Sequence, residues 1–119
     1  MRFMRMFHPS LLLCTSALFG CTGYGPGPKS IAHPDPAVKI PAIVQAAENT
    51  DHSSADELVK ELESGDPAVR LFAIEALERL TGETFDYRYY DDPEQRKPAV
   101  LRWQQWIASQ GAKSAADQP

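Results

Sequence analysis

Two cysteines, three histidines and seven glycines are all that this 119-residue chain contains of each. Each scarcity closes off a class of chemistry. Two cysteines cannot build a disulfide framework or a cysteine-based zinc site. His33 and His52 have no Cys, His or carboxylate partner at ligand spacing, so no metal or other cofactor is expected. The glycines form no phosphate-cradling loop, because Gly23-x-Gly25-x-Gly27 follows no strand pattern. Basic residues are outnumbered, 12 Lys and Arg against 16 Asp and Glu, for a net charge of −4. That balance disfavours nucleic acid, whose binding needs cationic surface to displace phosphate counterions. Long apolar runs are also missing: the longest, around Leu11–Phe19, is about half the roughly 20 residues that a spanning helix requires.

That short run is nevertheless informative. Arg2 and Arg5 precede it, and Leu18-Phe19-Gly20-Cys21 closes it. A charged start, an apolar stretch and a small residue before a cut is the build of a secretory signal. A spanning anchor and a plain secretory signal are the competing readings. The nearest small-x-small triplet, Thr15-Ser16-Ala17, lies inside the run and not after it. Leu18-Phe19-Gly20-Cys21 resembles the lipobox of bacterial lipoproteins, although Phe19 stands where that pattern usually has a small residue. The resemblance implies cleavage after residue 20, acylation of Cys21, and attachment to a membrane of the cell envelope on its periplasmic side. Thr22, not Asp, follows the cysteine, which by the same resemblance favours the outer membrane.

Cleavage there leaves 99 residues, 10 of them basic and 16 acidic, with Cys21 as the only thiol. One domain at most fits this length. Residues 21–34 carry Gly23, Gly25, Pro26, Gly27, Pro28 and Pro34 with no periodicity. They read as a tether, reaching about 40 Å at about 3.1 Å per residue.

The remainder contains an internal repeat. Asp35-Pro36-Ala37-Val38-Lys39-Ile40-Pro41-Ala42-Ile43 aligns with Asp66-Pro67-Ala68-Val69-Arg70-Leu71-Phe72-Ala73-Ile74, identical at six of nine positions with an offset of 31 residues. Self-similarity at such a period marks stacked units. Ser54-Ala55-Asp56-Glu57 fits a capping box. Ala55, Leu58, Val59 and Leu62 follow at helical spacing. Gly65 is placed to end that helix in a left-handed turn. Asp66 and Pro67 open the next helix, whose apolar stripe runs through Val69, Phe72, Ala73, Ala76, Leu77 and Leu80 to Gly82. Pro41 should kink the first helix or delay its start. Asp56, Glu57, Glu61, Glu63, Glu75 and Glu78 fall on solvent faces, and no catalytic constellation emerges.

Leu58…Leu62…Asp66-Pro67-Ala68-Val69-Arg70…Ala73…Ala76-Leu77…Leu80 resembles a HEAT repeat, the antiparallel helix pair of α-solenoids. The match covers residues 54–81, with 35–49 as the second helix of a truncated preceding unit. With the signal and the Thr81-Gly82…Phe85…Tyr87…Arg102-Trp103…Trp106 segment, the chain is similar to small bacterial HEAT-repeat lipoproteins. The resemblance implies an all-α fold and a structural role for Arg70 at the turn between helices. It leads us to expect an envelope protein as partner, not an enzymatic activity.

Phe85, Tyr87, Tyr89 and Tyr90 crowd the loop after Gly82. A final helix is expected over 98–110, with Ala99, Val100, Trp103, Trp106 and Ile107 on one face. Pro98 should separate it from any turn begun at Asp92-Pro93, and residues 111–119 should fray. A short helical stack exposes an apolar end that needs a cap, and Trp103 suits that task. The alternative is that Tyr87, Tyr89, Tyr90 and Trp106 form a surface platform for peptidoglycan or polysaccharide.

Overall fold

The computed structural model describes residues 31–117, which fold as helices with no strand among them. Helix α1 spans Pro36–Glu48. The Asp35 carboxylate accepts the Ala37 amide at 2.9 Å, and Pro36 takes the first position, where no donor is needed. Pro41 neither delays nor breaks this helix. It lies on the exposed face, so water can serve the Ala37 carbonyl that it leaves without a partner.

A 3₁₀ turn, His52–Ser54, leads into α2, Ala55–Glu61. The capping box expected at Ser54 does not form. The Ser54 hydroxyl donates instead to Asp51 at 2.6 Å, while Asp51 accepts the Ser53 amide at 3.0 Å. The start signal is thus set one turn earlier, by a carboxylate that outcompetes the serine. Gly65 is likewise not a left-handed cap, since Gly82 is the only described glycine with positive φ. Tertiary donors complete the end of α2, as described below.

Helix α3, Pro67–Thr81, follows its local signals at both ends. Asp66 accepts the amides of Ala68 at 2.7 Å and Val69 at 3.2 Å, and Gly82 closes the helix at φ 79°. Val69, Ala73, Ile74, Ala76, Leu77 and Leu80 are buried, and α3 packs against both α1 and α2. Lys39 near the start of α1 reaches Glu61 at the end of α2 and ties the two helices together there. Glu61 is therefore not on a solvent face. It is buried because its carboxylate is paired at 2.7 Å.

Helix α4 runs unbroken from Pro93 to Ala116 and packs on α2. Two expected interruptions are absent. Pro98 stands five residues after the first-position proline, as Pro41 does in α1, and is also exposed. Gly111 costs about 1 kcal/mol relative to Ala. The following Ala112, Lys113, Ser114, Ala115 and Ala116 extend a helix already nucleated, which is the inexpensive step. The segment from 111 is thus helical through Ala116 and not frayed. The other boundary also moves: Ile31, placed in the tether by composition, is buried in the core. The signal, Cys21 and the tether up to residue 30 lie outside the described residues.

Candidate functional site

The end of α2 leaves carbonyls without intrahelical partners, and three side chains from α3, the aromatic loop and α4 converge on it. The Tyr87 hydroxyl donates to the Leu62 carbonyl at 2.5 Å, and the Arg96 guanidinium donates to the same oxygen at 3.1 Å. Arg70 donates to the Ser64 carbonyl and, through Nε, to the Tyr89 carbonyl, each at 2.8 Å. Both guanidinium groups belong to residues more than nine-tenths buried, at 9% exposure for Arg70 and 8% for Arg96. Cations at a helix C-terminus meet the negative end of its dipole. Arg70 therefore ties the α2–α3 turn to the aromatic loop through backbone carbonyls. Arg96 did not stand out in the sequence, although Arg96, Ala99, Val100 and Trp103 share the 3, 4, 7 spacing of one helix face. Its Nε is buried without a hydrogen-bond partner among the described residues.

Burial pushes the Tyr87 phenol above its ordinary pKa, with the Arg96 guanidinium partly opposing the shift. Ionisation then favours the unfolded chain. The stabilisation is complete below the ordinary phenol pKa of about 10 and is lost as pH rises through the folded value. Tyr87→Phe should cost about 1 kcal/mol near neutrality through the lost hydrogen bond. It should also flatten the alkaline decline in denaturant melts taken from about pH 8 to about pH 11. Equal alkaline losses in both chains would assign the decline to other groups.

The four aromatic candidates do not share a surface. Tyr87 is a core residue at 6% exposure, because its hydroxyl has a buried carbonyl to reach. Tyr89 is half-buried and meets Tyr90 edge-to-face at 5.3 Å, leaving Tyr90 66% exposed. Tyr90 lines a groove with Gly65, Asp91, Arg96 and Lys97. Trp106, half-buried against Trp103 at 5.8 Å, lines a different groove with Leu80, Ile107 and Gln110. The two grooves have no lining residue in common, so the single platform of Tyr87, Tyr89, Tyr90 and Trp106 is not assembled. Trp103 is wholly buried, donates to the Thr84 carbonyl at 3.3 Å and meets Phe85 edge-to-face at 4.7 Å. It belongs to one buried cluster with Leu77 and Leu80.

A third groove, about 570 Å³, lies between the second half of α1 and the stretch of α3 from Phe72 to Arg79. Val44, Ala47, Phe72 and Ala76 line it together with Glu48, Glu75, Glu78 and Arg79. Among the described residues there is no cluster of metal-ligating side chains and no helix long and apolar enough to cross a membrane. Compared with protein-family models, curated proteins and solved structures, the chain matches none.

Proposed function

We propose that this protein is a lipid-anchored component of the bacterial cell envelope whose HEAT-like module binds or scaffolds another envelope protein. The observation carrying the helical part of this reading is the equivalence of the two sequence copies. Asp35 and Asp66 each cap a helix that begins with proline, and Lys39 and Arg70 each reach a polar group on another segment, the Glu61 carboxylate for one and backbone carbonyls for the other. The resulting one and a half units are closed by α4 and the aromatic loop, with Trp103 as the inward-facing cap. Solenoid fragments of this kind present helix-lined grooves, and a tether of residues 21–30 would let such a surface search near the membrane. Attachment rests on Cys21. Two or three acyl chains, at about 0.8 kcal/mol per buried methylene, anchor stably without help from an acidic protein.

The anchor is tested by palmitate labelling in a two-membrane bacterium. Cys21→Ser should accumulate as an unlabelled, uncleaved precursor, whereas Cys14→Ser should be processed and labelled as the parent is. Label persisting in the Cys21 variant would reject the anchor. Cross-linking in intact envelopes then tests for the protein partner.

A further inference from the structure

Resting on that interaction reading, we propose that the groove between α1 and α3 docks a basic amphipathic helix of the partner protein. The groove joins Val44, Ala47 and Glu48 of α1 to Phe72, Glu75, Ala76, Glu78 and Arg79 of α3. The end of α1 lies beside the middle and later turns of α3, as expected of helices packed side by side in the same direction. Their C-terminal dipole ends lie together and add negative potential to three carboxylates. Only Arg79 opposes them, since α1 has no basic residue in its last turn. The floor is apolar, and Ala47 and Ala76 leave room above it for larger incoming side chains. An occupant must therefore offer apolar anchors on one face and cations flanking them.

Helical form follows from the same surface. Neither α1 nor α3 has a free backbone edge along its length, so an extended segment would lay unpaired amides and carbonyls on an apolar floor. A helix satisfies its own backbone and presents anchors at i, i+3, i+4 and i+7. A second copy placing the same groove face to face would set carboxylate against carboxylate, which disfavours that occupant.

The test uses the full chain in neutral-detergent micelles, with empty micelles as the blank. The probe is a fluorescent Lys/Leu amphipathic helix of about five turns, read by anisotropy. A scrambled peptide of the same charge and a Glu/Leu peptide serve as comparisons. The amphipathic cationic peptide should bind, weaken with added salt, and outcompete both comparisons. Glu75→Lys/Glu78→Lys should weaken it about tenfold, as loss of rim complementarity requires. Glu83→Lys/Glu94→Lys, with the same net charge change at exposed positions elsewhere, should leave it unchanged. Equal weakening by both pairs, or by neither, would overturn the proposal. So would concentration-dependent self-association that the rim pair abolishes, since the occupant would then be a second copy. A photo-crosslinker at Glu78, Asp56 or Glu94 separates the two readings in intact envelopes. Adducts from Asp56 or Glu94 but not Glu78 would leave the interaction reading standing and remove the groove. Adducts from none of them would remove the interaction reading and, with it, the docking of a partner helix.

Discussion

Trp103→Ala is expected to leave the helical domain largely unfolded. Trp103 is the largest fully buried side chain, and its ring is held edge-to-face by Phe85 at 4.7 Å and Trp106 at 5.8 Å. Its indole nitrogen also satisfies the Thr84 carbonyl at 3.3 Å, fixing the aromatic loop against α4. Truncating such a residue costs about 3–5 kcal/mol, through lost transfer energy and the cavity left behind. A single small core without disulfides or metal supplies only about 3–5 kcal/mol in total. Circular dichroism should therefore show most of the helix signal lost at ambient temperature. Trp106→Ala should cost less, because that ring is only partly buried at the groove it lines. A Trp103→Ala domain that melted cooperatively at the parental denaturant midpoint would overturn the view that α4 closes the core through this residue.

The second large effect concerns the Lys39–Glu61 pair, the only ion pair among the described residues in which both side chains are mostly buried. Glu61→Ala should destabilise the domain by up to about 3 kcal/mol, because it strands an ammonium group in a poorly solvated seam between α1 and α2. The side chains retain 13% and 11% exposure, which lets Lys39 partly escape and keeps the cost below that of a fully interior pair. Lys39→Met/Glu61→Leu should recover most of the loss, since apolar residues of similar volume can replace a buried pair without desolvating charge. The comparison is of urea melts of the parent, the Glu61→Ala variant and the double variant. If the single and double variants were equally unstable, packing of the aliphatic stems would be the interaction that matters.

Lys39 also shows how far the internal repeat could be read. It aligns with Arg70 in the two nine-residue copies, and both turn inward. Their partners differ, a carboxylate for Lys39 and two carbonyls for Arg70, and nothing within either nine-residue copy specifies which. The partners lie 22 residues from Lys39 and 6 and 19 residues from Arg70, on segments that only folding brings near. Arg96 illustrates the same gap. Its position on the buried face of α4 was visible as spacing, but burial of a guanidinium makes sense only once the Leu62 carbonyl is found beside it.

What the sequence determined unaided was local. Asp66-Pro67 and Asp35-Pro36 start helices because a carboxylate two residues from an amide can reach it without outside help. Gly82 ends α3 because a residue without Cβ takes φ 79° freely. The 3.6-residue periodicity between these signals made the described residues helical and placed Leu58, Val69, Leu77 and Trp103 inside. Tertiary structure decided the rest. It carried α4 through Pro98 to Ala116, drew Ile31 into the core, and passed the end of α2 from Gly65 to Tyr87 and two arginines. It also divided the aromatics, with Tyr87 inside, Tyr90 exposed and Trp106 on a separate groove. Each of these outcomes depends on a donor, acceptor or apolar face supplied from elsewhere in the chain, so no local pattern could contain it.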